Sequence, residues 1–222
     1  MNILFCIPGR NFSRNFLKSW SELIREMGHQ KIKWGLINKY SPIVYEARWR
    51  CLQKALKVNY DYIMWIDSDM VFKPHQFNQL LNHDKDIVSG LYLMQNGANV
   101  ETLDTSFLYA GIGHDGKILR KIDFIKENGE YQRELEEVRM NGMGFMLVKK
   151  GVFEAIHKPF HYPTPNEVST DVHRYLFNSD GESHKNFLGE DHIFQIKAMD
   201  AGFKSYVDPS VILGHEKSFI LK

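Results

Sequence analysis

The chain of 222 residues has few cysteines, no long apolar run and almost no net charge. Its two cysteines, Cys6 and Cys51, lack the spacing of a zinc site or of a disulfide framework. We therefore expect two buried thiols in a reducing compartment. No apolar run approaches the ~18 residues that indicate a membrane span, and the apolar start of the chain is too short for a signal peptide. These features predict a cytoplasmic protein without a membrane span.

The overall composition is that of an ordinary globular domain. Apolar residues make up 43% of the chain, charged residues 25%, and the net charge is +1. A charge this close to neutral gives no reason to expect nucleic acid or a membrane surface as a partner. The sequence has no repeats, low-complexity tracts or linkers, so we expect residues 1–222 to form a single domain.

The first ~90 residues alternate short apolar runs with helical patterns, which predicts an α/β fold with a mostly parallel sheet and helices on both faces. Turn signals between short mixed runs in the second half predict a smaller antiparallel excursion. The predicted strands of the first half are Asn2–Ile7, Lys31–Ile37, the apolar part of Tyr60–Phe72, and Asp86–Tyr92. The predicted helices begin after Ser13, near Val44 and at Pro74.

The stretch Tyr60–Phe72 reads YDYIMWIDSDMVF and is the centre of the functional prediction. Its apolar part predicts a buried strand, and Asp67 and Asp69 follow at its carboxyl end. In an extended chain both carboxylates point to one side and can hold one cation, while Ser68 points away. Ligands bind at the carboxyl ends of strands in open α/β sheets. The pattern therefore predicts a metal site for a phosphorylated substrate, although most isolated copies of such a triplet are solvated turns.

Acidic residues at a predicted helix start form a second candidate. Glu190 and Asp191 either offset the helix dipole or supply a general base or a partner for a sugar hydroxyl. The preceding loop, His161–Gly189, is predicted to cover the cleft as a lid. His215 is either a structural histidine or a ligand of the kind that Mn²⁺ accepts. Lys217 is either a phosphate partner or a surface lysine.

Two further features concern anion binding and backbone approach. Gly142 and Gly144 allow a tight turn to which a ligand can come close, or form a simple turn before a strand. Arg48 lies on a predicted buried helix face and therefore needs an anionic partner. A diphosphate is one such partner; an ion pair with Glu46 or Asp69 is the alternative.

Five segments in this order resemble the GT-A fold glycosyltransferases, which transfer a sugar from a nucleotide diphosphate donor. The segments are IPGRN from Ile7, WIDSDMVF from Trp65, NGMGFMLVKKGVF from Asn141, LGEDHIFQIKAMDAGFKSYVDP from Leu188, and GH at Gly214. The IPGRN opening and the size are similar to those of small virus-encoded, chlorovirus-like members. The resemblance implies a Rossmann-like sheet, a nucleotide-binding half at 1–95 and a sugar and acceptor half at 96–222. It also implies a UDP-sugar donor, a glycan or glycoprotein acceptor, and Mn²⁺ or Mg²⁺ as the cofactor.

The resemblance also assigns roles to residues. Asp67 and Asp69 would form the metal pair, with Asp69 the better candidate for the direct ligand and His215 the third. Glu190 and Asp191 would form the acidic motif on the acceptor side. The implied donor-binding residues are Pro8, Gly9, Arg10, Arg48, Asp67, Ser68, Gly142 and Lys217. One departure concerns the base: many members carry an acidic residue after the second strand, where this chain has Asn38, Lys39 and Tyr40.

The reaction class leaves alternatives open. If transfer inverts configuration, Asp191 would be the general base; if it retains configuration, Asp191 or Glu190 would position the sugar or stabilise positive charge on it. A sugar nucleotidyltransferase also uses a strand-end aspartate pair, but GRNFSR near the start is a poor version of its basic loop. A non-catalytic module that binds nucleotide sugars is the third possibility.

Overall fold

A computed structural model describes residues 1–92, 109–126, 128–130, 132, 134–156 and 189–216. A seven-stranded sheet lies at its centre. From one edge to the other its strands are β2 (Lys33–Lys39), β1 (Asn2–Pro8), β3 (Tyr62–Ile66), β9 (Phe145–Lys149), β5 (Ile87–Leu91), β10 (Ser205–Ile212) and β8 (Glu136–Val138). Strands β1, β2, β3, β5 and β10 run in one direction, and β9 and β8 run against them. The mostly parallel α/β architecture is thereby confirmed.

Two small antiparallel sheets accompany the central one. The first pairs β4 (Met70–Val71) with β11 (Gly214–His215). The second pairs β6 (Tyr109–Ile112) with β7 (Ile118–Arg120). The second sheet is the antiparallel excursion that the turn signals predicted.

Five α-helices of the described residues cover the sheet, and local signals explain where two of them begin. Ser13 caps the first helix, since its hydroxyl accepts the N–H of Phe16 at 3.0 Å. Pro74 occupies the first turn of the third, where its missing N–H costs nothing. Both starts were predicted. The helices are α1 (Arg14–His29), α2 (Val44–Ala55), α3 (Pro74–Asn82), α4 (Lys150–Ala155) and α5 (Glu190–Asp200), with a 3₁₀ turn at Lys121–Phe124.

The core is divided between the two faces of the sheet. Successive residues of a strand point to opposite faces, so Phe5 packs into one apolar cluster and Cys6 into the other. Leu23 and Phe77 bring α1 and α3 to the face that holds Phe5. The same alternation buries β3 on both sides, as predicted for a central strand.

Some predicted boundaries are wrong by a few residues. Strand β2 starts at Lys33 rather than Lys31, because Lys31 adopts a positive φ of 55° and Ile32 donates its N–H to Met27 at the end of α1. The apolar pattern of α2 also predicts that Val44 is buried with Leu52, whereas Val44 is 45% exposed. It is the first residue of that helix and lies beyond the core that Cys51 and Leu52 enter.

Three predictions are not tested by the structure. The lid predicted for His161–Gly189 lies outside the described residues except for Gly189, and the predicted phosphate partner Lys217 lies outside them. The division into functional halves at 1–95 and 96–222 stays a prediction. The structure does show that β9, from the second half, lies between β3 and β5 of the first. None of the described helices is both long enough and apolar enough to cross a lipid bilayer.

Candidate functional site

The loops that follow β1, β2 and β3 meet at the carboxyl ends of these parallel strands. Gly9 donates its N–H to the carbonyl of Lys39 at 3.0 Å. A side chain at Gly9 would overlap the side chain of Ser68, and the φ of Gly9 is +156°. Glycine is therefore required here for both space and conformation. The loops Pro8–Arg10, Asn38–Tyr40 and Asp67–Asp69 thus come together, as the alternation of strands and helices in the first half predicts for a parallel sheet.

The Asp-Ser-Asp triplet forms a turn and not the extended chain that was expected. The carbonyl of Asp67 accepts the N–H of Met70 at 3.1 Å, which is the hydrogen bond of a β-turn. The turn directs the chain into β4, so the two carboxylates diverge to different partners. Ser68, expected to point away from the ligand side, lies against the Gly9 loop.

Asp69 lies next to His215, so two of the three predicted metal ligands come together; that they bind a metal stays a prediction. The antiparallel pairing of β4 with β11 places His215 opposite Met70, and Glu216 donates its N–H to the carbonyl of Asp69 at 2.8 Å. The Nε2 atom of His215 lies 3.0 Å from Oδ2 of Asp69, across 146 residues of sequence. The Asp69 side chain is 40% exposed and that of His215 is 10% exposed, so the pair borders solvent through the carboxylate.

Asp67 is engaged by Arg48. The Nη2 atom of Arg48 lies 2.9 and 3.2 Å from the two carboxylate oxygens of Asp67, and Nη1 donates to Glu190. Only 4% of the Arg48 side chain is exposed. Burial works against its charge, but the neighbouring carboxylates outweigh burial and raise the pKa of Arg48. The ion-pair alternative is thus realised, with Asp67 and Glu190 in place of the expected partners; contact with a diphosphate stays a prediction.

The acidic start of α5 has two carboxylates in different settings. Burial raises the pKa of Glu190; the positive charge of Arg48 opposes this shift, and Asp191 adds to it. Asp191 accepts the N–H of His192 at 2.9 Å through Oδ1, which satisfies one of the N–H groups that have no intrahelical partner in the first turn of a helix. Glu190 is therefore committed to Arg48, whereas Asp191 has a local backbone partner.

Gln195 fixes the position of this helix start and was not identified from the sequence. Its Nε2 atom donates to the carbonyls of Asn141 at 2.6 Å and Asp191 at 3.1 Å. Its Oε1 atom accepts the N–H of Asn141 at 3.0 Å. Gln195 is fully buried in the middle of a helix, and a lone glutamine in that position is the only sequence signal that it gives.

Tyr92 is the second residue that the sequence did not single out. It follows β5, is 5% exposed, and lies against the turn that contains Gly142 and Gly144. Its hydroxyl accepts the N–H of Gly144 at 2.9 Å. The close approach that the two glycines were expected to allow is made in this structure by Tyr92; binding of a donor there stays a prediction.

The β1 and β2 loops carry an exposed aromatic and cationic pair. The guanidinium of Arg10 lies 5.5 Å from the ring centroid of Tyr40, and both residues are exposed. Asn38 supports the loop below them, because its amide nitrogen donates to the carbonyls of Ile7 at 2.7 Å and Gly9 at 2.9 Å. Asn38, which stands where many GT-A members carry an acidic residue, therefore stabilises the loop after β1.

The arrangement only partly fits a metal ion held by protein side chains alone. Within the described residues, no group of three or more histidine, cysteine, aspartate or glutamate side chains is placed to hold one. Asp69 and His215 converge, but Asp67 gives both oxygens to Arg48. One carboxylate and one imidazole suit Mn²⁺ when further oxygen ligands come from a substrate. The donor set thus fits a cation that is bound together with a phosphorylated ligand.

Comparisons with known proteins concern the fold. No protein-family model matches the chain, and no curated protein matches it in sequence. The crystal structure of A197 from STIV is similar, with a TM-score of 0.50, 17% identity, and 100% of this chain and 97% of that chain covered. The catalytic domain of Drosophila beta1,4galactosyltransferase 7, in complex with xylobiose, has a TM-score of 0.49 and 11% identity, with 98% of this chain and 71% of that chain covered. The inositol-1-phosphate CTP transferase from T. maritima has a TM-score of 0.45 and 11% identity, with 98% of this chain and 89% of that chain covered. At these identities the likeness to A197 concerns the fold alone, and the other two TM-scores are too low to carry an argument.

Proposed function

We propose that the protein is a metal-dependent glycosyltransferase that moves a sugar from a nucleotide diphosphate donor to a hydroxyl of a glycan or glycoprotein. One observation carries the proposal: Asp69 and His215 meet at 3.0 Å beside the carboxyl ends of the parallel strands. Ligands of open α/β sheets bind at those ends. A UDP-sugar is the first donor to test, because the resemblance in sequence favours it.

The charge of the site supports a cation as part of the bound complex. Three carboxylates, those of Asp67, Glu190 and Asp191, act on the buried guanidinium of Arg48, and Asp69 lies two residues after Asp67 in the same turn. These carboxylates would repel a diphosphate that came close to them without a cation. Asp69 and His215 would hold a divalent ion, which when bound neutralises charge on the diphosphate leaving group. Oxygen atoms of the donor would complete its ligand set.

The chain's own residues divide the remaining tasks. Arg48 keeps Asp67 and Glu190 in place, so the first aspartate of the triplet shapes the site and does not need to touch the cation. Asp191 is our candidate for the carboxylate that faces the acceptor, because Glu190 is paired with Arg48. In an inverting reaction Asp191 would accept the proton of the attacking hydroxyl. In a retaining reaction it would stabilise positive charge on the sugar ring.

A screen of nucleotide sugars with and without Mn²⁺ tests the proposal. We expect calorimetry to detect Mn²⁺-dependent binding of one donor and a coupled assay to detect its slow hydrolysis. Asp69→Asn should abolish the dependence of binding on Mn²⁺. Asp191→Asn should still bind the donor and lose turnover by about two to four orders of magnitude, the usual contribution of a general base.

The same screen separates the proposal from its alternatives. Release of pyrophosphate from a nucleoside triphosphate would assign a sugar nucleotidyltransferase. Binding of a donor with neither transfer nor hydrolysis would assign a binding module. If Asp69→Asn binds a donor as tightly as the unchanged protein does, with the same response to Mn²⁺, the assignment of Asp69 is wrong.

A further inference from the structure

We infer that Tyr92 is a positioning residue that holds the Gly142–Gly144 turn and the ring of His215 in place together. The inference rests on the proposed function for its meaning in catalysis, but its structural content can be tested separately. Tyr92 is 5% exposed, so it acts through its neighbours.

The turn before β9 leaves room that the Tyr92 side chain fills. A Cβ atom built on Gly142 would lie 2.7 Å from Cζ of Tyr92 and would overlap its hydroxyl. A Cβ atom on Gly144 would lie 2.9 Å from the same Cζ atom. Cβ atoms of real proteins essentially never come this close to other heavy atoms. The two glycines and the tyrosine therefore form one packed unit, in which the glycines are needed because the tyrosine is present.

The hydroxyl of Tyr92 connects this unit to the aspartate turn. It accepts the N–H of Gly144 at 2.9 Å, and the carbonyl of the same glycine accepts the N–H of Asp67 at 2.9 Å. The peptide groups of Gly144 thus link Tyr92 to the residue that Arg48 holds.

The ring of Tyr92 supports the other side of the site. It meets the imidazole of His215 edge to face, with ring centroids 5.4 Å apart and planes at 88°. Aromatic pairs prefer this arrangement. His215 in turn lies 3.0 Å from Asp69. The Tyr92 side chain therefore contacts two parts of the site: its hydroxyl contacts Gly144, and its ring contacts His215.

Two substitutions separate the ring from the hydroxyl. Tyr92→Phe keeps the ring, so the ¹H–¹³C shifts of the His215 ring should stay near those of the unchanged protein, while amide exchange at Gly144 becomes faster. Tyr92→Leu removes both, so the His215 shifts should change, and Mn²⁺ affinity in the presence of a donor should fall by about 10- to 100-fold, as for other groups that orient metal ligands. Tyr60→Phe is the matched control: Tyr60 is 3% exposed in the other core cluster, and its hydroxyl has no hydrogen-bond partner among the described residues.

A pair of substitutions tests the packed unit directly. Gly142→Ala should lower the thermal midpoint, and adding Tyr92→Leu should recover part of the loss, because the space that the methyl group needs is then open. Gly28→Ala in α1 is the control, since nothing lies within 4 Å of a Cβ atom there, and it should cause no loss.

The outcomes distinguish this inference from the proposed function. If no metal or donor binds the unchanged protein, the proposed function fails, and the His215 shifts and the Gly142–Tyr92 coupling still decide the role of Tyr92. Unchanged His215 shifts in Tyr92→Leu, or losses in Gly142→Ala and Tyr92→Leu that simply add, would overturn the inference. So would unaltered Mn²⁺ affinity in a folded Tyr92→Leu protein that binds donor.

Discussion

Arg48 holds two carboxylates that lie 19 and 142 residues away in the chain. Its position on a helical face with Leu52 was enough to predict burial and the need for an anion, and both are observed. The identity of the partners was not predictable, because helical periodicity carries no information about which distant residues come close. The sequence indicated Asp69 and His215 as candidates more directly, since each lies within three residues of the end of an apolar run, and ligands of open α/β sheets bind at strand ends.

At this scale we expect Arg48→Met to destabilise the protein by about 3–5 kcal/mol, the usual cost of breaking a buried ion pair by removing one partner. The reason is that Asp67 and Glu190 would be left without their buried cation. Arg50→Met on the same helix is the control, because the Arg50–Glu46 pair is exposed and such pairs contribute at most about 1 kcal/mol. Urea unfolding of both variants measures the difference. Equal changes would show that the Arg48 pairs contribute no more than a surface pair.

At the scale of elements, strands and helices of the first half were predictable because apolar spacing and caps act locally. The Ser13 cap and the Pro74 start depend on residues within three positions of each other. Interactions between elements were not predictable in this way. The pairing of β4 with β11, which sets the Asp69–His215 contact, joins two-residue strands that no periodicity can reveal.

The attachment of α5 to the turn before β9 gives a second prediction. Gln195→Met keeps the side-chain volume but leaves the N–H and C=O of Asn141 without their partner. A buried polar group without a partner costs about 1–3 kcal/mol, so the variant should unfold at clearly lower urea concentration. Gln30→Met at the exposed end of α1 is the control. A Gln195→Met variant as stable as the control would show that this contact does not hold the helix.

At the scale of the whole molecule, the alternation of strands and helices predicted the layered α/β sheet, and the burial of both thiols follows from it. Cys6 and Cys51 are each 0% exposed in the same apolar cluster. Burial, together with the neighbouring Cys51, raises the pKa of Cys6, which lowers its reactivity further.

We therefore expect both thiols to react with iodoacetamide only when the sheet and α2 separate. Labelling should then proceed at the rate of global unfolding, as amide exchange does in the most protected part of a protein. Mass spectrometry over a urea series measures the rate of labelling and, by amide exchange, the rate of global unfolding. Labelling of Cys51 within minutes in native buffer would instead reveal local opening of α2.

The contact between β4 and β11 also has a consequence for biosynthesis. Asp69 and His215 are separated by 146 positions, and contacts so distant form late, because the entropy of closing the intervening chain must be overcome first. A nascent chain that has emerged as far as α5 already displays the aspartate turn but has no partner for it. The contact between Asp69 and His215 can therefore form only when translation has passed His215, and a chain that stalls earlier lacks it.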